Sequence, residues 1–274
     1  MNADATIGAK FICKFTSESV QKKTPSRLFL AVSSAEALSP ELLTLLSDAE
    51  LNKLENIKGS QRRKEYSCGR VLLRLLLQEV TGLRADKHAI STTDTGKPVC
   101  ENGPAVSISH SRGVIACATS LTGDVGIDIE FKDSNRDTKR LAKRFFSSFE
   151  NDWLDGRPAD SFYALWVLKE ACLKVLGSGL AGGLDKLQCR IEPPSIETAP
   201  GFPIACRLTL FEMPGAYLGF ATTDMQSDKI SISHWNPALD RLADISWLEK
   251  IASGETRTDL PTGQHQHPFM GPRE

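Results

Sequence analysis

The segment DVGIDIE, Asp124 to Glu130, puts two carboxylates one residue apart on a run of Val and Ile that reads as the inside of a sheet. In a strand, side chains i and i+2 share a face, so Asp128 and Glu130 stand side by side while Ile127 and Ile129 pack behind them. Two like charges on one spot are costly unless a cation sits between them, one takes a proton, or the face is open to water. The last case, a hairpin after the Gly123-Asp124 turn with a wet outer face, is the ordinary reading of an isolated D-x-E. The rest of the chain has to decide among the three.

Residues 27 to 33 (RLFLAVS) read as a buried strand, and residues 39 to 57 as a Ser-capped helix followed by a second one starting near Ser47-Asp48. The most helical stretch, SQRRKEYSCGRVLLRLLLQEVTG, closes at Gly82 and carries Leu72, Leu75, Leu76 and Val80 on its apolar face. Arg63, Arg70 and Arg74 fall on one stripe of it, either a solvated face or a basic site. Three Val/Ile-rich segments follow: HAISTTDTGKPVC, PAVSISHSRGVIACATSL and DVGIDIE. Helical segments at 136 to 150 and 159 to 176, the latter with a Gly stop, lead into LQCRIE, ACRLTLFE, AYLGFATT and KISISHW, which read as strands.

Helices plus a small antiparallel sheet thus occur twice. That order predicts an α+β fold of two similar subdomains related by a pseudo-twofold, residues 1–122 and 123–240, with the crevice between the sheets as the natural ligand site. Residues 241–274 are a C-terminal extension. Its last part, SGETRTDLPTGQHQHPFMGPRE, reads as an unpacked, partly disordered tail in which His265 and His267 are not metal ligands.

A chain of 274 residues with 41% hydrophobic and 24% charged residues can bury a full core. Its formal net charge of -1 gives no global field to recruit nucleic acid or an anionic membrane. No apolar run reaches the roughly 18 to 20 residues needed to span a bilayer, and MNADATIGAK lacks the basic start and apolar core of a signal peptide. The seven cysteines are spread without a C-x-x-C pair, so free thiols in a reducing cytoplasm are expected.

Glu170 supplies a third carboxylate, one helical turn from Lys174 and beside Lys169. On its own, Glu170-Lys174 is a helix salt bridge worth about 0.2–0.5 kcal/mol. With Asp128, Glu130, His110 of SISHS, Lys169 and the turn Gly96-Lys97-Pro98, it makes up what a hard divalent cation and a pyrophosphate require. Magnesium is held by one or two carboxylates plus substrate phosphates, so acids and bases are expected together.

The ordered series GKP, VSISHS, VGIDIE, AKRFFSSFE and LWVLKEACLKVLGSGL resembles the signature of 4'-phosphopantetheinyl transferases of the surfactin-synthetase activator type. The resemblance runs from about residue 60 to 181. It implies a pseudo-dimeric α+β fold acting as a monomer, coenzyme A as co-substrate, and magnesium, with manganese as a substitute. The acceptor it implies is a serine of an acyl or peptidyl carrier protein of a fatty-acid, polyketide or nonribosomal-peptide synthase. By the same resemblance, Asp128, Glu130 and Glu170 bind the metal, and Lys169 and Lys174 meet the pyrophosphate. His110 binds a coenzyme A phosphate, with Ser109 beside it among the coenzyme-binding residues, while Thr95, Gly96, Lys97 and Pro98 form the turn that holds the adenine end by its backbone. Arg62, Arg63, Arg70 and Arg74 stand where the family keeps basic residues for the 3'-phosphate. The serine proton goes to Glu170 or to Glu150, a choice the sequence leaves open. The competing classes are a magnesium-dependent phosphohydrolase or nuclease, and a non-catalytic module binding coenzyme A or a carrier protein. A serine hydrolase is disfavoured because S-I-S-H-S is no G-x-S-x-G elbow.

Overall fold

The computed structural model describes residues 28–177, 179, 183–191, 194–198, 205–226, 229–236, 241–243 and 249–255. After strand β1 (Leu28–Ser34), the helices begin where the sequence supplies caps. Ser39 caps α1 (Pro40–Leu43), and Ser47 with Glu50 forms a capping box on α2 (Asp48–Asn56). The long helix α3 (Ser60–Thr81) ends at Gly82 with φ of 73°, a left-handed conformation that only glycine adopts without cost. Four strands follow: β2 (Ile90–Thr92), β3 (Pro98–Cys100), β4 (Ala105–Ser111) and β5 (Val114–Ser120).

Strand β6 (Val125–Phe131) leads into α4 (Thr138–Phe145), α5 (Ser148–Leu154) and α6 (Ser161–Leu176). The segment expected as one helix over 136 to 150 is two, because Ser147 caps α5 in a second capping box with Glu150. The chain closes with β7 (Leu187–Ile191), β8 (Pro194–Thr198), β9 (Arg207–Met213), β10 (Ala216–Thr222), β11 (Ile230–Asn236), β12 (Arg241–Ala243) and β13 (Glu249–Glu255).

Two sheets carry the fold, in strand order β12-β11-β1-β5-β4 and β13-β9-β10-β6, with β2-β3 and β7-β8 as separate hairpins. The first sheet departs from the antiparallel expectation at one pair. Strand β11 enters parallel to β1 because it arrives from the second sheet rather than through a hairpin. Sheet membership therefore crosses the 122/123 line drawn from the sequence: β11 and β12 join the first sheet, and β13 edges the second. His265, His267 and the rest of the tail beyond residue 255 lie outside the described residues.

Helix α3 packs Val71, Leu72 and Leu76 toward the first sheet, and α6 packs Leu165, Leu168 and Leu173 in the core of the second. A third apolar cluster lies between the sheets, where Ile127 and Ile129 of β6 meet Val32, Ala116 and Ala118. The two faces of β6 are thus divided as the alternation predicts, isoleucines into the core and acids away from it. The hairpin reading of DVGIDIE fails, since β6 pairs with β10 rather than with β5 and Asp128 is buried. Among the described residues, no helix is long and apolar enough to cross a membrane.

Candidate active site

Two glycines let α6 lie directly on the acidic face of the second sheet. A Cβ on Gly126 of β6 would collide with the Ala171 carbonyl oxygen, and one on Gly219 of β10 with the Val167 carbonyl oxygen. Gly219 stands opposite Asp128 in the β6–β10 register. This close approach brings Glu170 beside Asp128. Neither glycine was singled out as functional from the sequence, although a lone Gly inside a strand signals close backbone approach.

Asp128 and Glu170 are each 7% exposed. The Asp128 Oδ1 atom accepts from Ser109 Oγ at 2.8 Å and from Lys174 Nζ at 2.8 Å, while Oδ2 is buried with no hydrogen-bond partner. The Oε1 atom of Glu170 is likewise buried and unpartnered. Burial, and then the negative charge of Asp128, push the Glu170 carboxyl up to about 7. Glu130 is held differently. It accepts from Ser111 Oγ at 3.1 Å and from Arg136 at 3.4 Å, and the Arg136 guanidinium lies 5.3 Å over the Trp166 ring.

Among the described residues no group of three His, Cys, Asp or Glu side chains is assembled in metal-holding geometry. Glu130, the third expected ligand, is engaged by Arg136 and Ser111. The donor set still fits a hard cation. Two buried carboxylates with an unpartnered oxygen each, the charge of Asp128 raising the proton affinity of Glu170, match magnesium's need for one or two carboxylates.

Strand β4 borders both this pocket and a neighbouring cleft of about 610 Å³, since Ile108 and His110 line the cleft while Ser109 between them faces Asp128. Basic groups dominate the cleft: Lys53, Lys58, Arg62, Arg70 and His110, with Gly96 and Pro98 on its wall. Arg70 is buried; its Nη2 donates to Thr92 Oγ1 at 3.0 Å, and its Nη1 is buried without a partner. His110 is half-exposed, with Nδ1 3.4 Å from Glu65. Arg62, Arg70, Gly96, Pro98 and His110 are therefore brought together as expected from the sequence. Lys53, Lys58 and Tyr66 join them unforeseen; Lys53 and Lys58 flank the end of α2, which sequence alone does not aim at α3.

Other residues expected at the site have their side chains engaged elsewhere. Arg63 donates to the Glu55 carbonyl at 3.3 Å and does not line the cleft. Arg74 is buried and committed to Glu50, at 2.7 Å, and to the carbonyls of Ala85 and His88. Lys97 Nζ caps the C-terminal end of α6 through the Val175 carbonyl at 2.7 Å, and Thr95 donates to the Gly177 carbonyl at 2.8 Å. Burial lowers the Lys97 ammonium below its ordinary range. Ser109 faces β6 rather than the cleft.

Lys169 and Glu150 need the firmest correction. Both side chains are fully buried and paired with each other at 2.7 Å, and Glu150 also accepts from the backbone N–H groups of Ser147 and Cys189. Burial drives the Lys169 ammonium downward against the opposing pull of Glu150. Sealed in this way, Lys169 cannot meet a pyrophosphate and Glu150 cannot take a substrate proton.

A family described as the 4'-phosphopantetheinyl transferase superfamily matches residues 124–207, and its N-terminal domain matches residues 56–120. The chain is 32% identical over 184 residues to the 4'-phosphopantetheinyl transferase Sfp of Bacillus subtilis, covering 64% of this chain and 80% of that protein. It is 30% identical over 181 residues to the 4'-phosphopantetheinyl transferase HetI of Nostoc sp., covering 62% and 76%. Similarity to the 4'-phosphopantetheinyl transferase psf-1 of Bacillus pumilus is 31% over 157 residues, covering 54% and 66%.

Proposed function

This chain belongs to the 4'-phosphopantetheinyl transferase superfamily, and on that premise we propose that it moves the phosphopantetheine arm of coenzyme A onto a serine of an apo carrier protein. One observation carries the site assignment: the open, buried oxygens of Asp128 and Glu170 adjoin a cleft lined by cations. An anionic co-substrate in that cleft would bring its pyrophosphate to the acids across β4.

The serine oxygen forms a bond to the pantetheine-side phosphorus, the anhydride bond to the other phosphate breaks, and 3',5'-ADP leaves with the electron pair. Such a transfer needs alignment and charge neutralisation more than covalent help. The unpartnered Nη1 of Arg70, with Arg62, is the ready donor for a terminal phosphate, and Lys174, anchored on Asp128, is the cation nearest the acids. Asp128 and Glu170 would hold magnesium, with Glu130 as the third candidate, and the ion supplies neutralisation of the pyrophosphate charge when bound. Of the two acids considered for the serine proton, Glu150 is sealed against Lys169, which leaves Glu170, acting directly or through a water. The six cysteines among the described residues, all buried free thiols, support action in a reducing compartment.

The test is intact mass spectrometry of apo carrier proteins incubated with the enzyme, coenzyme A and magnesium. A gain of one phosphopantetheine is expected, lost on chelation and in Asp128→Ala. Hydrolysis of coenzyme A without any modified carrier would replace this reading by a phosphohydrolase.

A further inference from the structure

Among the described residues, strands β4 and β6 are edge strands of different sheets, and no backbone ladder joins them. Their edges meet nonetheless. The N–H groups of Ile127, Ile129 and Phe131 donate to the hydroxyl oxygens of Ser107, Ser109 and Ser111 at 3.1, 3.3 and 3.3 Å. Three serines spaced two apart therefore take the place of a partner strand and satisfy an otherwise open edge. Each hydroxyl keeps one proton to donate, and the backbone N–H it accepts fixes how it is aimed.

At two of the three steps that proton meets a carboxylate: Ser109 donates to Asp128 Oδ1 at 2.8 Å, and Ser111 to Glu130 Oε2 at 3.1 Å. At the Ser107 step the corresponding residue is Gly126, which has no side chain to receive it. Ser109 and Lys174 together occupy Oδ1 of Asp128, so Oδ2 is the oxygen left open in the site.

We propose that Ser109 and, more weakly, Ser111 are positioning residues: seam hydroxyls that orient the acidic pair and determine which oxygen of Asp128 a cation meets. The inference rests on the reading of Asp128 as a metal ligand given above. Ser107 is the internal control, because it closes the same seam without touching an acid.

Mn²⁺ binding in the presence of coenzyme A, followed by the loss of the free-ion electron paramagnetic resonance signal, tests this without turnover. Removing a hydrogen-bond partner behind a metal ligand typically weakens binding about 10–100-fold. Ser109→Ala is expected to weaken Mn²⁺ about tenfold, Ser109→Thr to keep near wild-type affinity, and Ser107→Ala to stay within about twofold of wild type. If Ser109→Ala does not fold, Ser109→Cys, a weaker donor of similar shape, makes the same comparison. Equal weakening in the Ser107 and Ser109 variants, or none at Ser109, would overturn the proposal and leave the serines a purely structural seam. Wild-type Mn²⁺ binding that Asp128→Asn leaves unchanged would instead overturn the metal reading itself, and this inference with it.

Discussion

Glu170 lies in an environment that favours its protonated form. Its carboxyl is pushed up to about 7 in the fold from an ordinary value of 4.5, raised first by burial. A carboxyl raised on folding contributes stability that is present below its unfolded value and lost as pH rises through the folded one. Each unit is about 1.4 kcal/mol, so ionised Glu170 costs the metal-free protein on the order of 3 kcal/mol at pH 8. Glu170→Gln should therefore melt several degrees above wild type at pH 8 without metal, with the gap closing by pH 5. A gap that ignores pH in thermal melts would show that Glu170 is not held near neutrality. Lys169 makes the opposite case. Lys169→Ala leaves Glu150 charged in the core without its counter-ion, and breaking a buried pair in this way costs about 3–5 kcal/mol. Denaturant titration should show that loss, while the folded fraction keeps its KM for coenzyme A because Lys169 does not reach the cleft.

At the scale of elements, the local signals were the readable ones. Ser39, Ser47, Gly82 and Gly177 mark helix ends through chemistry contained within a few residues, and each lies where the sequence put it. That Asp128 and Glu130 share a face followed from the two-residue period alone. What an element packs against was not readable in this way. The motif K-E-A shows a lysine and an acid side by side, yet Lys169 turns into the core toward α5 and Glu170 toward β6, a division set by helix azimuth against partners distant in sequence. The turn holding Lys97 was legible as a turn, but the docking of its side chain on α6 was not. The same packing yields a prediction. Gly126→Ala places a methyl group against the backbone of α6, so the helix or the strand must shift. Overpacking of this sort costs about 1–3 kcal/mol. Transferase activity should fall much further than stability, since the shift separates Glu170 from Asp128; activity and urea melts on the same preparation measure both.

Across the whole molecule, a net charge of -1 coexists with a cleft where Lys53, Lys58, Arg62, Arg70 and His110 converge. Attraction for an anion is therefore local, created by folding α2, α3 and β4 around one space rather than by bulk composition. Arg70 is the sharpest element of that field, because its Nη1 is buried without a protein partner. A group in that state discriminates strongly between ligands that satisfy it and ligands that do not. A charge-assisted hydrogen bond is worth about 1.5–3 kcal/mol, or roughly 10–100-fold in binding. If Arg70 meets the 3'-phosphate, Arg70→Met should raise the KM for coenzyme A by that factor and change the KM for dephospho-coenzyme A, which lacks the phosphate, by less than about twofold. The two co-substrates, measured on wild type and variant, form a cycle that separates lost recognition from lost folding, because a general defect would weaken both equally. Equal losses on both would move the 3'-phosphate away from Arg70 and leave Arg62, Lys53 and Lys58 as the candidates for that end of the cleft.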